Sequence, residues 1–187
     1  MTADPGFLAA CRRQSGSIAV AGAACLVAVL SSQAHANSTA GASVKEAAAA
    51  GQKWQPDAVL THVSTLVATP DGKARSWLYT FYSPKARKSA IVTARGGKVE
   101  IEPDVRNTST EPIGAEFLDS DRAIEAARRH GLKIEGSTGM GLTQAGQATG
   151  KSMLFWSVMV MREDGFSAVT LDGRNGALIK RDDTKFK

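Results

Sequence analysis

From Asp57 onward, apolar and polar residues alternate with a period of two, the mark of strands that bury one face. The pattern predicts strands over Asp57–Thr69, Ser76–Ser83, Ser89–Ala94 and Lys98–Glu102, and again over Met153–Met161, Phe166–Leu171 and Ala177–Lys180. Between them lie reversal signals: Pro70-Asp71-Gly72-Lys73, Pro84 to Lys88, Gly96-Gly97, Arg162 to Gly165 and Asp172 to Gly176. Two segments break the alternation with helical spacing. The alanine-rich run Val44–Lys53 has Ser43 as a suitable N-cap, and a second helix opens at Leu118-Asp119-Ser120-Asp121 and runs to about His130. Gly131 follows, where left-handed geometry ends a helix. Residues 131–151 are polar and glycine-rich and read as a loop.

One helix followed by strands thus occurs twice, and the landmarks keep their spacing. Val44 to Trp77 and Ala123 to Trp156 are both 33 apart, and Trp77 to Val99 and Trp156 to Leu178 are both 22 apart. A duplicated unit of about 79 residues is the expectation. The predicted class is α+β, with two helix-plus-antiparallel-sheet units, cystatin-like in arrangement, in one compact body. Boundaries follow at 37–42 for a small, polar, disordered start, 43–103 for the first unit, 104–117 for a linker containing prolines, and 118–187 for the second unit.

The first 36 residues have a different character. Arg12 and Arg13 precede an apolar run, Ile18–Leu30, and then small and polar residues ending Ala34-His35-Ala36. This is the layout of a cleavable secretion signal. Its thirteen apolar or small residues fall short of the ~20 that span a membrane as a helix, and no longer apolar run follows. The reading is therefore an exported protein, periplasmic or extracellular, with no transmembrane segment after signal removal and a product starting at Asn37.

Export changes the chemistry on offer. Both cysteines, Cys11 and Cys25, lie within the signal, so the exported chain has no disulfide and must rely on its core. Without Arg12, Arg13 and Asp4 the chain carries a net charge of +4, a mild basic balance. The densest clusters are Lys85, Arg87 and Lys88 in a turn and Arg128, Arg129 and His130 at a helix end, where cations suit the helix dipole. Nucleic-acid binding wants a basic stripe with stacking residues, whereas the aromatic residues here sit in apolar strands. No cofactor, metal site or catalytic residue is expected. His62 and His130 stand apart from any nucleophile or ligand cluster, and a G-x-S-x-G elbow is absent. Ala145 to Ser152 fits a loose phosphate-binding loop, but an apolar strand follows it where that loop needs a helix.

The stretch Phe166-Ser-Ala-Val-Thr-Leu-Asp-Gly-Arg-Asn-Gly-Ala-Leu-Ile179, behind a helix and a Trp-bearing strand, resembles the PepSY domain. The likeness covers about Asp119 to Asp183, and more weakly Ser43 to Pro103, where Arg95-Gly96-Gly97 replaces the longer Asp-containing turn. It implies a helix laid on an antiparallel sheet in exported proteins, some of which restrain secreted proteases. It brings no catalytic residues. The function it implies is a non-enzymatic module that binds or modulates a protein or peptide, such as a protease or envelope component. The alternative is a carrier of a small apolar ligand or lipid between helix and sheet.

The strand Met153–Met161 poses the surface question. Leu154, Trp156, Val158 and Val160 share one face, and Met153, Phe155, Met159 and Met161 share the other. Only one face of a sheet meets a helix in a two-layer fold. The second face, with Met153, Phe155, Met159 and Met161, is the candidate partner-binding face. A covering by the first unit, and a homodimer, are both open at this point.

Overall fold

In a computed structural model the chain is described over residues 37–106, 109–114, 116–136, 138–146 and 152–186. The predicted secretion signal, with both cysteines and the expected cleavage site, lies outside the described residues, as does most of the phosphate-loop-like stretch. Helix α1 spans Val44–Trp54 and α2 Ser120–Arg129, and the strands are β1 Val59–Ala68, β2 Ser76–Ser83, β3 Lys88–Arg95, β4 Lys98–Val105, β5 Thr138–Gly146, β6 Ser152–Arg162, β7 Gly165–Asp172 and β8 Leu178–Lys185.

All eight strands form one antiparallel sheet in the order β4-β3-β2-β1-β5-β6-β7-β8. The expectation of two helix-plus-sheet units is therefore corrected: of the described residues 51% are in strands and 17% in helices, and the sheet is continuous. Its seam is the pairing of β1 with β5, from His62↔Thr143 to Ala68↔Thr138. The polar, glycine-rich composition of residues 131–151 predicts a loop, whereas Thr138–Gly146 forms β5 and gives β1 its second partner.

Three smaller corrections follow. Residues 37–42 are held in place: Ser38 bridges Ala74, Ala40 is fully buried, and a 3-10 turn covers Gly41–Ser43. The linker begins later, since β4 runs to Val105, and it contributes Ile113 to the core while Ile113 N–H donates to the Leu60 carbonyl at 2.7 Å. The predicted last strand, Ala177–Lys180, is longer than expected: Arg181-Asp182-Asp183 continue it within edge strand β8.

Alternation decides which side chains meet the helices. Val63, Tyr79, Leu142, Trp156 and Leu171 are successive cross-strand partners or neighbours on one face, and all are buried beneath α1 and α2. Glycine at position 51 lets α1 approach the sheet, where a Cβ would stand 2.8 Å from the Phe81 ring.

The heads of the two helices converge. Ser43 makes no capping bond, and Asp119 serves both ends, accepting from Ser120 N–H and from Gly41 N–H at 2.7 Å each. Ser120 Oγ donates to the Gly72 carbonyl at 2.6 Å and accepts from Ala40 N–H at 2.9 Å. Gly72 has φ 77°, and a side chain there would strike the Ser120 carbonyl. Tyr79 donates to the Ala40 carbonyl at 2.6 Å, and burial together with the nearby Asp119 carboxylate pushes its phenol well above the usual range.

Candidate binding face

Among the described residues, no helix lies on the other face of the sheet. Its side chains form rows across the strands, because residues paired in register share a face. The middle row reads Glu100, Thr93, Leu78, Ser64, Gly141, Ser157, Thr170, Lys180 from β4 to β8. Below it run Glu102, Ile91, Thr80, His62, Thr143, Phe155 and Asp172. Above it stand Lys98, Arg95 and Ser76, then Gly139, Met159, Ala168 and Asp182. Charge is confined to the edge strands and to Arg95 and Asp172 at strand ends. Asp172 also accepts from Arg174 and Asn175 N–H in its own turn.

Met153, Phe155, Met159 and Met161 all lie on this face, but they are spread along β6 rather than gathered. Met161 is 55% exposed and pairs with Phe166, while Met159 is 37% exposed and lies between Gly139 and Ala168. Phe155 pairs with Thr143 and is half-buried. Met153, also half-buried, sits six residues from Met159, roughly 20 Å along the strand. The first four strands do not cover the face, because they lie beside the last four in one sheet.

The sequence reading missed two residues of this face. Between Thr65↔Met140 and Ala68↔Thr138, the β1 residues Leu66 and Val67 oppose the single residue Gly139, which makes a β-bulge. They are 84% and 60% exposed. Three consecutive apolar residues, Leu66-Val67-Ala68, were the available signal, since strict alternation allows only every second one inside. Gly139 and Gly141 leave a shallow trough beside the bulge, with His62 Cε1 3.5 Å from where a Gly141 Cβ would stand.

His62 is the titratable group of this trough, and burial holds its pKa below the ordinary imidazole value. Thr80 and Thr143 flank it in register. His130 is elsewhere, at the end of α2, with Nε2 3.2 Å from the Gly176 carbonyl. Among the described residues no three His, Cys, Asp or Glu side chains gather as a metal site would need. Comparison with protein-family models, with curated proteins and with solved structures gives no match.

Proposed function

We propose that this chain is an exported, non-catalytic module that docks a protein partner on the helix-free face of its sheet. The observation that carries the reading is the placement of Leu66, Val67, Met159 and Met161, exposed apolar side chains on a face whose middle row is uncharged from β3 to β7. Eight strands at ~4.8 Å, most with four residues on this face at ~6.6 Å intervals, give a surface of roughly 900 Å². A standard protein interface uses about 800 Å² per partner. Methionine adapts to varied partner shapes, which suits such a surface. The PepSY-like stretch Phe166–Ile179 points the same way, toward a binding rather than a chemical role.

A carrier of a small apolar ligand needs an enclosed cavity of a few hundred Å³, roughly, between helix and sheet. That layer is filled here by Trp77, Trp156, Tyr79, Phe81 and Ile124. The protein-docking reading is therefore preferred.

The test is site-specific photo-crosslinking. A crosslinker at Met161 should capture a protein, and one at the exposed helix position Glu125 should not. The double variant Leu66→Glu, Met161→Glu should lose capture while its stability stays within about 0.5 kcal/mol, as for exposed substitutions. Equal capture at both positions, or capture unaffected by the double variant, would sink the reading.

A further inference from the structure

We infer that the partner seated on the helix-free face is a second copy of this chain, stacked sheet on sheet about a two-fold axis that runs along the strands at the β1–β5 seam. The inference rests on the docking reading above and names its occupant. Such an axis lays β4 of one copy over β8 of the other and β1 over β5, and keeps every row at its own height.

Charge complementarity supports this arrangement. The middle row begins with Glu100 on β4 and ends with Lys180 on β8, so each Glu100 meets the other copy's Lys180. The row above begins with Lys98 and ends with Asp182, so that pair is opposite in sign as well. Lys180 and Asp182 already bridge each other at 2.7 Å, and stacking would extend the bridge into a four-charge rim on both sides of the dimer. A two-fold axis across the strands fails the same test, because it sets Glu100 on Glu100 and Lys180 on Lys180.

Shape agrees with charge. The projecting bulge Leu66-Val67 falls over the other copy's Gly139, which has no side chain of its own and is flanked by the Met159 methyl. Leu78 falls over Ser157, large against small in the next row. The stacked area, roughly 900 Å² on each copy, meets the ~800 Å² that a stable interface uses. The middle row is uncharged from β3 to β7, so stacking brings no like charges together along it.

The experiment is sedimentation equilibrium of the purified protein with charge-reversal variants. Wild type should sediment as a dimer. Glu100→Lys alone and Lys180→Glu alone should each weaken the dimer about tenfold, since each reversal acts at two symmetric rim sites worth under about 1 kcal/mol each. The two reversals combined in one chain should restore it. Within one chain these positions lie on opposite edges, roughly 34 Å apart at ~4.8 Å per strand, so rescue reports contact between copies. Lys98→Asp with Asp182→Lys supplies a second, independent swap. Thermal melts confirm that each variant is folded.

A dimer indifferent to all reversals, or weakened by them without rescue, overturns the inference. A wild-type monomer that still crosslinks a different protein at Met161 also overturns it, and leaves the docking reading standing. A monomer that captures nothing at Met161 removes both.

Discussion

Trp77 and Trp156 meet edge to face beneath the two helices, ring centroids 6.4 Å apart and planes at 71°. They come from β2 and β6, with two strands between them, and neither is exposed. Each indole N–H holds the chain just ahead of a helix: Trp77 donates to the Ser38 carbonyl at 2.8 Å and Trp156 to the Leu118 carbonyl at 2.7 Å. The pair therefore ties the core to the start of both helices.

Replacing Trp156 with Ala should cost about 3–5 kcal/mol, the usual loss for deleting a large buried aromatic. Trp156→Phe keeps a ring but leaves the Leu118 carbonyl without its donor, and should cost less, about 1–3 kcal/mol. Denaturant titration of both variants checks the order. An Ala variant no worse than the Phe variant contradicts the packing described.

Asp119 joins the two helix heads, so Asp119→Ala should destabilise by about 2 kcal/mol, more than an exposed cap. Asp119→Asn keeps an acceptor oxygen and should recover part of the loss. Amide exchange at Gly41 is the specific readout, since its N–H loses its partner only in the Ala variant.

Gly51→Ala should destabilise even though alanine favours helix, by about 1–3 kcal/mol, as expected for overpacking. The added Cβ would sit 2.8 Å from the Phe81 ring and force α1 away from the sheet. Combining it with Phe81→Leu should relieve part of the cost, and a double-mutant cycle measures that coupling.

His62 gives stability an acid limb. Burial lowers its folded pKa below the ordinary 6.5, so folding favours the neutral ring. The contribution is present above 6.5 and is lost as pH falls toward the folded pKa, where the folded state must accept a charge in the trough. His62→Gln should flatten the fall of the melting temperature across that interval. An unchanged slope would assign the limb to other groups.

Much of this fold was legible in the residues. Seven strands and both helices follow from alternation, turn residues and helical spacing, and Gly131 ends α2 at φ 83° as its position implies. The failure has one origin. In β5, Thr138, Met140 and Leu142 face the core, but the intervening positions are Gly139, Gly141 and Thr143, so the strand has the composition of a loop. Glycine weakens strands in isolation, and here register with β1 and β6 overrides that preference. With β5 unseen, nothing joins the first four strands to the last four, and two separate units follow as an error of deduction. The binding face was half legible: parity along β6 identifies Met153, Phe155, Met159 and Met161, whereas Leu66 and Val67 depend on a bulge that only pairing with Gly139 defines.

The strand order also dictates a sequence of events in time. Six of the seven strand pairings join chain neighbours through short turns, and hairpins of that kind close within about 1–10 μs. The β1–β5 seam is the exception. Contacts that accompany it, such as Ala40 with Ser120, close a loop of 80 residues. Loop closure of that length costs about 4 kcal/mol of chain entropy before any contact compensates. Two meanders therefore wait on one late encounter, each with a bare β edge that is a template for the wrong neighbour until the seam forms. Substitutions in the seam, Leu142→Ala among them, then act chiefly by slowing folding, while those at the outer edges act by hastening unfolding.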